Sequence, residues 1–115
     1  MVIYEVNLNI DIGIFDEYKS WLTLHMKEMM SFKGFLKADL CDDIENDRGL
    51  TEQAVTKNLT ALYLIDSEKN LQHYFDHYAK SMRDDGIKQF GNQFRATRKI
   101  FKVSKSFNNS SVNEK

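Results

Sequence analysis

The chain has 115 residues, 42% of them hydrophobic, and its 16 Lys and Arg stand against 17 Asp and Glu for a formal net charge of -1. That length fits one domain able to bury about two thirds of the surface its unfolded chain exposes, and the charge balance argues against a phosphate-neutralising, nucleic-acid-binding surface. The one cysteine, Cys41, has no internal disulfide partner, and no apolar run reaches the ~20 residues of a membrane helix.

The opening residues alternate like a strand, whereas a secretory leader carries a charged and then an apolar stretch, so a cytoplasmic location is expected. In Ile3 to Ile10, the side chains of Tyr4, Val6, Leu8 and Ile10 share one face, and Ile3, Glu5, Asn7 and Asn9 share the other. Asp11 and Gly13 mark a turn into a first helix that runs to about Ser31. At about 100° per residue, Ile14, Phe15, Tyr18, Trp21, Leu22, Met29 and Phe32 form its buried stripe, with His25 near the centre. Lys19, Ser20, Thr23, Lys27 and Met30 fall outside it. Lys33-Gly34 ends the helix.

Phe35 to Cys41 reads as an edge or half-buried strand, with Leu36, Ala38 and Leu40 on one face and Phe35, Lys37, Asp39 and Cys41 on the other. Asp42 to Gln53 reads as an acidic hairpin loop. A calcium loop starting at Asp43 needs glycine at its sixth position, where Arg48 stands, so the spacing rejects it. A third strand follows from Ala54 to Ile65, with Leu59, Ala61, Tyr63 and Ile65 on one face and Asn58, Thr60, Leu62 and Leu64 on the other.

Asp66-Ser67-Glu68 opens a second helix whose stripe is Leu71, Tyr74, Phe75, Tyr78, Ala79 and Met82. His73 and His77 point the opposite way; they have the spacing of a helical metal pair but lack a third ligand, so no metal site is expected. Asp84-Asp85-Gly86 loosens or ends this helix, and Ile87 to Gly91 forms a last turn that carries Phe90 inward. In the fourth strand Phe94, Ala96, Arg98 and Ile100 oppose Arg95, Thr97, Lys99, Phe101 and Val103. The domain therefore spans 1–103, and 104–115 reads as a disordered tail.

Strand, helix, strand, strand, helix, strand is the ferredoxin-like α+β plan, βαββαβ, with two helices on one face of a four-stranded antiparallel sheet ordered four, one, three, two. The other face is bare, and its apolar residues call for a cover. A second copy packing sheet against sheet would give a homodimeric α/β barrel lined by Glu5 and Asn7. An ion pair of Glu5 with Arg95 or Lys99 is the plain structural account of that acid. RNA-binding modules share the element order but need an aromatic on the bare face. Tyr4 shares a face with Val6 and Leu8, so no nucleic-acid partner is expected.

Ile3-Tyr4-Glu5-Val6-Asn7-Leu8, Trp21-Leu22 with His25, Gly34-Phe35 with Ala38, Tyr63, Leu71 with Tyr74, Ala79 with Met82-Arg83 and Gly86, Phe90-Gly91, and Phe94, Ala96 and Arg98-Lys99-Ile100 resemble a family of small bacterial proteins known only as a domain of unknown function. The resemblance covers residues 2 to about 101. The family's ending usually carries two adjacent arginines; here the second is Lys99, which loses bidentate anion binding at that position. The resemblance implies the dimeric α/β-barrel superfamily and brings no activity with it. That superfamily includes cofactor-free monooxygenases, lactone isomerases and haem-degrading enzymes. The last pair an asparagine on strand one with a histidine on helix two and a tryptophan at the end of strand three; Asn7 and His77 stand near the first two, but Ile65 stands near the third.

Two functions stay open. One is a homodimeric binding or regulatory module that holds a small apolar or weakly anionic molecule in the barrel or under the helices. The other is a cofactor-independent monooxygenase- or isomerase-like enzyme with His25 as base, assisted by Asn7 and Tyr63. The candidate ligand-binding residues are Glu5, Asn7, Tyr18, Trp21, His25, Tyr63, Tyr74, Arg83 and Arg98. For His25 the plain reading is a buried neutral histidine hydrogen-bonded to a tyrosine or a backbone carbonyl, and for Arg83 a pairing with a nearby carboxylate. No cofactor, metal or membrane partner is expected.

Overall fold

The two unlike faces of the first strand set the architecture, because a strand with one apolar face must sit where only that face is covered. A computed structural model describes residues 1–109. Its elements run β1 (Val2–Asp11), a 3-10 turn (Ile12–Ile14), α1 (Phe15–Met29), β2 (Phe35–Asp42), α2 (Ile44–Arg48), β3 (Thr56–Ile65), α3 (Glu68–His77), α4 (Ala79–Phe90) and β4 (Phe94–Lys102). The sheet is antiparallel with order β2-β3-β1-β4. In register, Tyr4 lies opposite Tyr63 and Ile100, and Glu5 lies opposite Leu62 and Lys99.

The covered face of β1 and β3 carries Val2, Tyr4, Leu8, Ile10, Leu59, Ala61, Tyr63 and Ile65, all buried in one cluster with residues of α1, α3 and α4. Burying one such aliphatic side chain contributes about 1.5–3 kcal/mol. This is the ferredoxin-like plan read from the sequence, and it is the subunit fold of dimeric α/β barrels.

Four local features depart from the expectations. A bulge between Phe35 and Lys37 in β2 adds one residue and reverses the alternation, so Phe35 is buried while Leu36 is 48% exposed. The acidic connection after β2 is not all loop: Asp43 accepts a hydrogen bond from the Asn46 amide at 3.1 Å and caps the short helix α2. In α1, Met26 joins the buried stripe and Met30 packs partly against the core.

The fourth is the long helix, which breaks at Tyr78 (φ -128°, ψ -27°) and continues unbroken through Gly86 to Phe90. Its buried residues explain the break. Leu71 and Tyr74 belong to one stripe, while Ala79, Met82, Gly86 and Phe90 belong to another. On an unbroken helix at 3.6 residues per turn the two stripes would lie roughly 100° apart. The break brings both onto the same sheet and leaves Tyr78 41% exposed, stacked on Phe32 with ring centroids 4.4 Å apart. Ser104 to Asn109 form no helix or strand, and the remainder of the expected tail, 110–115, lies outside the described residues.

Candidate ligand site

Between the helices and the sheet the core is not filled. A cavity of about 580 Å³ is floored by the strands and walled by α1, α3 and α4, a size typical of small-molecule sites. Tyr18, Trp21, His25, Tyr63, Tyr74, Arg83 and Arg98 all line it. Tyr4, Met82, Gly86 and Phe94 also line it; sequence patterning gave them only as core, spacing or strand-face residues.

Tyr4 and Tyr63 stack across the floor with centroids 5.9 Å apart. Tyr18, Tyr63 and Tyr74 are each 2–3% exposed. Among the described residues their hydroxyls make no hydrogen bond, yet none of the three is sealed off: only Asn46 Oδ1 and Asp47 Oδ1 are buried there without a partner. The open volume these three hydroxyls reach is therefore the cavity they line. Burial is the main cause that raises their pKa values, well above the ordinary phenol for Tyr18 and Tyr63 and up to about 12 for Tyr74. They are protonated donors at neutral pH.

On the α1 wall, the rings of Trp21 and His25 stack with centroids 4.7 Å apart. Trp21 comes this close to α4 because Gly86 has no side chain: a Cβ there would lie 2.9 Å from the indole Cη2. His25 is half-buried and makes no hydrogen bond among the described residues, so it is not the tyrosine- or carbonyl-bonded core histidine of the plain reading. Burial lowers its pKa below the usual 6.5, and the nearby Asp85 carboxylate opposes that shift. At pH 7 its ring is a neutral proton acceptor.

Among the described residues Arg83 does not pair with a carboxylate. Its Nη2 donates to the Tyr4 hydroxyl at 3.1 Å, and its guanidinium lies 5.9 Å from the Phe75 ring centroid. Arg98 makes neither a hydrogen bond nor an ion pair among the described residues. No Asp or Glu among the described residues lines the cavity.

Glu5 and Asn7 lie on the opposite, helix-free face. There Asn7 Nδ2 donates to Glu5 Oε2 at 3.0 Å and the Thr60 hydroxyl donates to Asn7 Oδ1 at 2.8 Å. Arg95 is held by Asp11 at 2.7 Å and by Asn9 at 3.0 Å, and Glu5 forms no ion pair with Lys99 among the described residues. Asn7 therefore cannot assist His25: the sheet separates them. His77 is exposed on α3 with its ring 4.3 Å from that of His73, so Asn7 and His77 do not form one site either. Among the described residues no three His, Cys, Asp or Glu side chains cluster to hold a metal ion.

A family model described as Domain of unknown function (DUF4286) matches residues 1–104. No curated protein matches the chain in sequence. Among solved structures, the chain is similar to a Deinococcus radiodurans protein described as a "putative antibiotic biosynthesis monooxygenase", with TM-score 0.72 and 12% identity over 94% of this chain and 97% of that one. It is similar to a mutant of SnoaB, a cofactor-independent oxygenase from Streptomyces nogalater, with TM-score 0.66 and 10% identity over 91% and 95%. A conserved protein from Methanosarcina mazei gives 0.63 and 13% over 88% and 91%. At these identities the likeness is one of fold.

Proposed function

The chain belongs to the DUF4286 family, and we propose that this member is a small-molecule-binding module whose ligand lies in the cavity between helices and sheet. One observation carries the reading: three unbonded phenol hydroxyls, a half-buried indole and two guanidiniums converge on a single open volume. A core built only for stability fills such a space with aliphatic side chains; convergent polar groups in an apolar cavity are what orient a ligand. The second copy expected on the helix-free face completes the module as a homodimer, and the unbridged Cys41 suits a cytoplasmic setting.

A native mass spectrum of freshly purified protein tests the reading, followed by titration of aromatic compounds against the emission of Trp21, the one tryptophan. The expected result is a dimer that retains a discrete adduct, or whose Trp21 emission saturates with an added aromatic compound. An empty chain whose emission no aromatic compound alters would overturn it.

The neutral state of His25 favours a second reading, a cofactor-independent oxygenase or isomerase in which this ring takes a proton from the bound molecule. Tyr63 would then donate to the developing oxyanion, since its hydroxyl is free and protonated. Under this reading His25→Ala abolishes turnover of a bound compound while binding persists. Loss of both together would leave His25 a contact and no more.

A further inference from the structure

The charged side chains that line the cavity are all cationic, although the chain as a whole is close to neutral. Its lining holds two guanidiniums and no carboxylate, in a chain of formal net charge -1. The neutral His25 does not change that balance. Among the described residues neither Arg83 nor Arg98 forms an ion pair, so no carboxylate of the chain neutralises the two guanidiniums that line the cavity. Arg83 spends one donor on the Tyr4 hydroxyl, which holds the guanidinium beside the cavity and leaves its remaining N–H groups open. Arg98 keeps all five.

The two side chains also converge. Both line the same cavity, Arg83 from α4 beside the Tyr4 hydroxyl and Arg98 from β4 in register with Val6 of β1. Two forked donors without a carboxylate partner, on the lining of one open cavity, form a receptor for a planar anion. The walls behind them are aromatic: Tyr18 and Trp21 lie 5.5 Å apart with tilted rings, and Tyr4 and Tyr63 stack at 5.9 Å. Resting on the binding reading above, we propose that the cavity takes an aromatic carboxylate, with its carboxylate against Arg83 and Arg98 and its ring system between Trp21 and the tyrosine floor.

The test uses three probes on the full chain, read by Trp21 emission and by calorimetry: 2-naphthoate carries ring and charge, 2-naphthamide the ring alone, acetate the charge alone. Charge-assisted hydrogen bonds predict that naphthoate binds roughly ten- to a hundredfold more tightly than naphthamide, with acetate showing no saturation. Arg83→Gln and Arg98→Gln together should bring naphthoate down to the affinity of naphthamide, while Lys99→Gln, on the opposite face, should leave the ratio unchanged. Arg98 is exposed, so Arg98→Gln alone serves if the double variant fails to fold, and it should lower the ratio severalfold. Equal affinity for naphthoate and naphthamide would overturn the anion assignment and leave the binding reading standing. Failure of every aromatic probe to reach Trp21 would overturn the binding reading itself.

Discussion

The indole of Trp21 rests on the bare backbone of Gly86, so close that a methyl group there would sit 2.9 Å from Cη2. Gly86 lies inside α4 with no left-handed backbone to explain it. The glycine serves the ring and not the turn. Gly86→Ala gains about 1 kcal/mol of helix propensity and loses about 1–3 kcal/mol by displacing the indole. The expected net change is a loss of about 0–2 kcal/mol in chemical denaturation. Trp21 emission should shift and affinity for cavity ligands should fall severalfold, because the moved ring enters the cavity. Unchanged emission and affinity would show that the contact does not shape the site.

Gly34 presents the opposite case. Its φ is +86°, and a Cβ would meet Asn70 Cβ, Asn70 Nδ2 and Asp66 Oδ1, each at 2.6 Å. Those two side chains are joined by a 2.7 Å hydrogen bond, and the Asp66 amide donates to the Gly34 carbonyl at 2.9 Å. The corner ties the start of β2 to the end of β3. Gly34→Ala carries both backbone strain of about 1–2 kcal/mol and overpacking of about 1–3 kcal/mol. Gly91, with φ +59° and open space around it, carries the strain alone. Urea midpoints should therefore fall in the order Gly34→Ala, then Gly91→Ala, then wild type.

These contrasts bear on what the sequence makes legible. Alternation in β1 and the stripe of α1 report burial directly and mark the covered face, while the strand order follows from the βαββαβ plan that the order of elements matches. The break at Tyr78 was hidden because Tyr78 stands four residues from Tyr74, where an unbroken helix would bury it. Only contact with the sheet shows that Ala79 takes that place. The β2 bulge was hidden for a related reason, since a single inserted residue leaves no mark in composition. Seven of the nine ligand-binding candidates share one cavity because aromatic and basic residues on covered faces stand out from aliphatic core. Glu5 and Asn7 stood out too, but for facing away from the helices. Tyr4 was passed over as core, although a phenol on a covered strand needs a partner for its hydroxyl, and that requirement was the available signal.

The acid side of the stability curve should report His25. Its folded pKa is lowered by burial, with Asp85 opposing, so the unfolded chain binds the proton more readily. The stabilisation is complete above the unfolded value of about 6.5 and is lost as pH falls through the folded pKa. Denaturation free energy measured from pH 7.5 down to 5 should decline, and His25→Gln should flatten the decline within that window. Asp85→Asn removes the opposing charge and should move the midpoint to lower pH. A midpoint that moves upward in Asp85→Asn would refute the assignment.

Phe101 gives the sharpest test of the second copy. Ile3 lies opposite Leu64 on one side and Phe101 on the other, so three apolar side chains form a row across β3, β1 and β4 on the face without helices. Phe101 is 46% exposed in the single chain, so a charge there disturbs little within the subunit; surface substitutions of this kind shift stability by about 0.5 kcal/mol or less. In a two-fold dimer the same substitution acts twice across one interface, since each copy presents the identical patch. Phe101→Asp should therefore convert a native-mass dimer into monomer while the circular dichroism spectrum is retained. The cavity lies on the other side of the sheet from this row, so the monomeric variant should still quench Trp21 with naphthoate. Loss of quenching together with the dimer would mean that the second copy holds the cavity in shape, and a monomeric wild type would leave the row of Ile3, Leu64 and Phe101 to a different partner.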